Sequence, residues 1–244
     1  MEFLTKMSTA KKNIKKPQTK KITTYLYKVK KVALSNNRYR WGIDIFEKHR
    51  RKYIFSDRQL YTLGLLYDHL AMFNEHKNMK KEKIKKYLKE AEFIYHSILK
   101  REPKSDMALY GIGRVWNIRN NHEKALFYQR KAYKLMQKLP KKERGTMAIG
   151  ALYGKIGNYK KAEEWYKKEY NNLKNDFGAT LNLFLFYKRM KNYDKAQFYL
   201  PKAEHLLKKE FRKDVYRGLG MRKNKWLKYL SKQLEDVRKA KGSG

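Results

Sequence analysis

Three stretches of this chain repeat one another at a spacing near 34 residues, and no other feature constrains the fold as much. Asn121-His122-Glu123-Lys124-Ala125, Gly157-Asn158-Tyr159-Lys160-Lys161-Ala162 and Lys191-Asn192-Tyr193-Asp194-Lys195-Ala196 align with one another. Ala162 and Ala196 stand 34 residues apart, and Ala125 and Ala162 stand 37 apart. Ahead of each segment lies a small or apolar residue followed by an aromatic: Gly113 and Trp116, Gly150 and Tyr153, Phe184 and Tyr187. Behind each runs an apolar stripe at helical spacing. Self-similarity at such a period marks stacked supersecondary units, each too small to bury its apolar face alone.

These positions resemble the tetratricopeptide repeat. The resemblance implies two antiparallel helices per unit. A Gly or Ala in the first helix and an Ala in the second let the backbones approach, and an aromatic near the turn fills the joint. Carried backwards, Leu60, Leu63, Gly64 and Tyr67 repeat the first-helix pattern, and Ala91 and Pro103 fit a second helix and its terminating proline. Tyr39, Gly42 and Phe46 fit another second helix, with Leu26 and Val29 in the helix before it. The expected fold is all-α, a right-handed superhelical solenoid of antiparallel helix pairs. Its five units would be 23–56, 57–105, 106–142, 143–176 and 177–210, about 190 of the 244 residues. Lys30 and Phe184 stand where the family has a small residue, so the first unit is divergent and the last pair is expected to sit wider. The related pentatricopeptide family, with its slightly longer period, is less similar.

Three segments depart from the repeat. Residues 1–22 form a basic tail, read as flexible, that includes Lys11, Lys12, Lys15, Lys16, Lys20 and Lys21. The second unit carries a basic insert over 73–86, with Lys77, Lys80, Lys81, Lys83, Lys85 and Lys86, which fits either a loop or a longer second helix. After the last unit, 211–244 carries Trp226, Leu227, Leu230, Leu234 and Val237 at spacings of three and four, an amphipathic helix. An array needs a cap on its final repeat, so capping is the expected role and dimerisation the alternative. The same segment brings Arg212, Lys213, Arg217, Arg222, Lys223 and Lys225.

Charge narrows the partner. Lys and Arg number 61 against 23 Asp and Glu, a net charge of +38. Such a surface repels itself, and a polyanion relieves the repulsion. Nucleic acid, RNA above all, is the favoured partner, and an acidic protein in a larger complex is the rival. In the family the first helices line the concave side. The resemblance therefore places Tyr27, Lys31, Arg58, Tyr61, Tyr110, Arg114 and Arg144 in a groove suited to stacked bases and phosphates, or to an extended acidic peptide. The family's clamp for C-terminal carboxylates fails here, because Tyr61, Leu65, Gly111, Arg144 and Ala148 occupy its places.

Catalytic chemistry finds no foothold. There is no cysteine, hence no disulfide, thiolate ligand or thiol nucleophile. The six histidines, His49, His69, His76, His96, His122 and His205, show no metal-ligand spacing, and no phosphate-binding glycine loop occurs. The expectation is a non-enzymatic adaptor without cofactor, metal or small-molecule substrate. No apolar run is long enough to span a bilayer, so membrane attachment is disfavoured and a cytoplasmic, reducing compartment is the default.

Overall fold

The computed structural model describes residues 16–75, 80–137, 147–173, 175–211 and 223–242. Within them the chain runs through eleven helices: α1 Lys20–Ser35, α2 Tyr39–Arg50, α3 Asp57–Glu75, α4 Lys81–Arg101, α5 Asp106–Ile118, α6 His122–Met136, α7 Met147–Lys155, α8 Tyr159–Asn172, α9 Phe177–Arg189, α10 Tyr193–Phe211 and α11 Lys223–Gly242. The first ten pair as consecutive antiparallel hairpins, each packed on the next.

The repeated Asn explains why each hairpin turns where it does. Asn121, Asn158 and Asn192 each accept a bond from the backbone N–H three residues on, at 3.0, 3.1 and 3.2 Å, and so cap α6, α8 and α10. Their own N–H groups return to the carbonyls of Trp116, Tyr153 and Tyr187 at 3.0, 2.9 and 3.0 Å, closing the end of the preceding helix. The residue just before the cap must take the left-handed conformation, with φ of 60° at Asn120, 81° at Gly157 and 55° at Lys191. Glycine and asparagine tolerate this backbone, whereas lysine is strained by its Cβ. Lys191→Gly is therefore expected to stabilise the chain by about 1 kcal/mol, read as a rise in the urea midpoint at unchanged slope. A fall in the midpoint would contradict this origin of strain.

The small residues mark where helices meet. Ala91, Ala125, Ala162 and Ala196 are wholly buried. Tyr95 of α4 lies between α3 and α5, and a Cβ on Gly64 or Gly111 would stand 2.6 or 2.5 Å from its ring. A Cβ on Gly42 would meet Ala33 of α1 at 2.7 Å. A lysine at the start of the second helix covers the joint aromatic of its own unit. Nζ of Lys124, Lys161 and Lys195 lies 4.4, 5.7 and 5.0 Å from the rings of Trp116, Tyr153 and Tyr187.

The three segments outside the repeat take definite forms where they are described. Of the tail read as flexible over 1–22, residues 16–22 are described, and they are held in place. The Lys16 N–H donates to Lys52 O, Ile54 N–H donates to Lys16 O, both at 3.0 Å, and Thr19 caps a helix already begun at Lys20. The insert over 73–86 lengthens helices: α3 runs to Glu75, and α4 starts at Lys81, so Lys81–Lys86 are helical. Lys77 of that insert lies outside the described residues. The C-terminal helix packs onto the end of the array. Leu230 and Val237 are buried in the core shared with α9 and α10, and Lys188 Nζ reaches Gln233 and Asp236 at 2.6 and 3.0 Å.

Candidate functional site

Helix-to-helix packing separates an inner from an outer side over the first three units. α1 packs on α3 and α3 on α5, while α2, α4 and α6 make no comparable contact with one another. The first helices therefore lie on the inside of the curve. The charge is not spread evenly over the two sides. Inner helix α3 has one Arg against three acids, and α5 has Arg114 against Asp106. Outer helix α4 carries seven Lys or Arg against three Glu, and α6 carries four against one. Among these inner helices only α1 is basic, with five Lys and no acid.

Of the residues expected to line a groove, Tyr27 is exposed, as are Lys31 and Arg58. Tyr27 and Arg58 border a cleft of about 390 Å³ with Thr23, Lys30, Ser56, Gln59 and Thr62. In the repeat pattern Lys30 is only a departure, yet here it shares a cleft with Arg58. Burial holds its ammonium below the usual lysine range, and the Arg58 charge lowers it further. An anionic oxygen group in this cleft would relieve the repulsion of the two cations, and the bordering hydroxyls and amide could donate to it.

Arg114 is committed to an internal ion pair. Its Nε and Nη2 donate to Asp68 Oδ2 and Oδ1 at 3.1 and 2.7 Å, a bidentate pair on a carboxylate with no solvent exposure. Burial opposes the Arg114 charge, but Asp68 outweighs it and holds the guanidinium protonated. Tyr95 OH donates to the same Asp68 at 2.8 Å. Tyr61 is half-buried with its ring 5.7 Å from that of Tyr95, and burial pushes its hydroxyl above the usual tyrosine range. Tyr110 is half-buried, packed beside Leu109, Ala132 and Met136. The aromatic ladder thus keeps one open rung, Tyr27, while Tyr61 and Arg114 belong to the polar heart of the fold. Sequence reasoning missed Asp68, whose only signal was an acid among the apolar residues of a first helix.

The remaining candidates divide by position. Lys16, Lys20 and Lys21 are exposed beside the N-terminal end of α1, and Lys80, Lys81 and Lys83 are exposed at the start of α4. Lys223 and Lys225 lie on α11. Lys11, Lys12, Lys15, Arg144, Arg212, Lys213, Arg217 and Arg222 fall outside the described residues. Among the described residues no group of three or more His, Asp or Glu could hold a metal ion, and no helix is long and apolar enough to cross a membrane.

Solved structures decide the fold family. A thermophilic TPR protein of Thermus thermophilus, TTC0263, superposes with a TM-score of 0.61 at 15% identity, over 81% of this chain and 97% of its own. The fold is that of a tetratricopeptide-repeat solenoid. MamA, at a TM-score of 0.52 and 17% identity, covers 74% of this chain and 95% of its own. Cut9–Hcn1, the APC/C hetero-tetramer, gives 0.54 at 16% identity over 80% of this chain and 33% of the matched one. No protein-family model and no curated protein matches the sequence. The TPR solenoid here is all-α and superhelical, as the repeat implied.

Proposed function

We propose that this TPR solenoid is a non-catalytic adaptor that binds RNA within a larger assembly. The observation that carries the reading is the placement of charge. Among the described residues of α1 and α6, no Lys or Arg forms an ion pair with a carboxylate, and in α4 Arg101 does so, with Asp57. A tight protein–protein interface is depleted in lysine at its core. A lattice of lysines without carboxylate partners on helices fits a strand with one phosphate per residue. The Lys30–Arg58 cleft supports a second reading, capture of an acidic peptide through a carboxylate, which accords with the neighbour found in the complex Cut9–Hcn1.

Fluorescence anisotropy with a labelled single-stranded RNA and with a polyglutamate of matched charge separates the two. The RNA is expected to bind more tightly. Its affinity should fall by about 300-fold or more between roughly 50 and 200 mM salt, as counterions released by six or more phosphate contacts on a single strand require. A polyglutamate bound more tightly than RNA, or an RNA affinity indifferent to salt, would overturn the RNA reading.

A further inference from the structure

The outer face carries an aromatic series that the groove reading leaves unused. Two residues beyond the buried Ala of the second helix stand Phe93 in α4, Phe127 in α6 and Phe198 in α10, after Ala91, Ala125 and Ala196. Each Ala is wholly buried, yet the three phenylalanines are 67%, 53% and 58% exposed. Six residues beyond the Ala, a lysine folds back over the ring in two of them. Lys131 Nζ lies 4.2 Å from the Phe127 centroid and Lys202 Nζ 3.6 Å from that of Phe198. In both, a tyrosine packs edge-on against the ring, Tyr128 at 5.3 Å and Tyr199 at 5.1 Å, and stiffens it. In α8 the place is Glu164, and the series is interrupted there.

Resting on the RNA reading, we propose that this outer face is where the strand binds, with the rings of Phe93 and Phe127 as stacking platforms for bases of one strand and Phe198, on α10, as a separate third. The magnitudes favour an exchange of partners. An ammonium over an exposed ring is worth about 0.5–1 kcal/mol, and a base stacked on it about 1–3 kcal/mol. The base therefore takes the ring face, and Lys131 or Lys202 swings to the adjoining phosphate. α4 and α6, which carry Phe93 and Phe127, are also the basic outer helices, so ring and charge coincide.

The test compares labelled single-stranded RNA binding by the full chain and by F93A/F127A across a salt series. The expected result is an affinity at least about tenfold lower for the variant with an unchanged salt slope, because no phosphate contact is lost. F93L/F127L keeps the apolar bulk without the π face and should lose a similar factor, which guards against an effect through folding. K131Q/K202Q should instead flatten the slope by about 0.7 per lysine. Wild-type affinity in both phenylalanine variants would overturn this surface while leaving RNA binding intact. Failure of the wild-type chain to bind RNA at all would overturn the RNA reading, and this surface with it.

Discussion

An Asp68→Ala chain is expected to be about 3–5 kcal/mol less stable than the wild type. Asp68 is fully buried and is shared by three elements: its own α3, Tyr95 of α4 and Arg114 of α5. Its removal strands a guanidinium whose side chain is only 23% exposed, together with a buried tyrosine hydroxyl. Both groups then bear desolvation without a partner, which costs more than the intact pair contributes. Asp68→Asn, which keeps an acceptor for Tyr95, should lose less. Urea unfolding followed by circular dichroism reads both. A loss below about 1 kcal/mol in Asp68→Ala would show that Arg114 finds water or another acceptor, and that the pair does not hold α3 to α5.

The second large effect depends on pH. Glu169 of α8 is 7% exposed, and its Oε2 has no hydrogen-bond partner. Burial, reinforced by the nearby Asp176 carboxylate, pushes its carboxyl up to about 7. The folded chain therefore holds a proton there that the unfolded chain releases near 4.5. This group's contribution is complete below the unfolded value and is lost as pH rises from about 4.5 to 7. Glu169→Gln abolishes the penalty. At about pH 8 the variant should be more stable than the wild type, by up to about 3 kcal/mol, and at about pH 4.5 the two should melt together. Thermal melts at both pH values check the sign, and a variant no more stable at the higher pH would refute it. Glu163, on the same helix, behaves oppositely. Hydrogen bonds from Lys167, Tyr187 and Lys195 hold it down to about 2, so what it contributes is lost only in acid.

The fold was legible because its repeat encodes contacts that tolerate little variation. Gly64 and Gly111 sit where the Tyr95 ring leaves no room for a side chain, Ala125 and Ala162 are wholly buried, and Asn121, Asn158 and Asn192 sit where a turn needs a cap, so the same residue types recur at the same spacing. The site was less legible, for two physical reasons. Arg114 looks like a groove cation until its partner is known, and Asp68 lies 46 residues earlier in the chain. Local pattern carries no trace of that pairing. Phe93, Phe127 and Phe198 were in register in the sequence, but exposure decides their meaning. An apolar residue at helical spacing reads as core until the packing turns it outward. The insert of the second unit was ambiguous because lysines suit a loop and a helix surface equally.

Tyr95 has a consequence for how such an array could change its length. The ring belongs to the second unit, yet its seat includes Gly111 in the third. Cutting the chain between these units would leave an aromatic side chain and a carboxylate facing solvent without their neighbours, and splicing in a foreign unit would need a glycine at that one place. The joint acts as a keyed coupling in an otherwise modular chain: the second unit fits a neighbour that brings a glycine to this place.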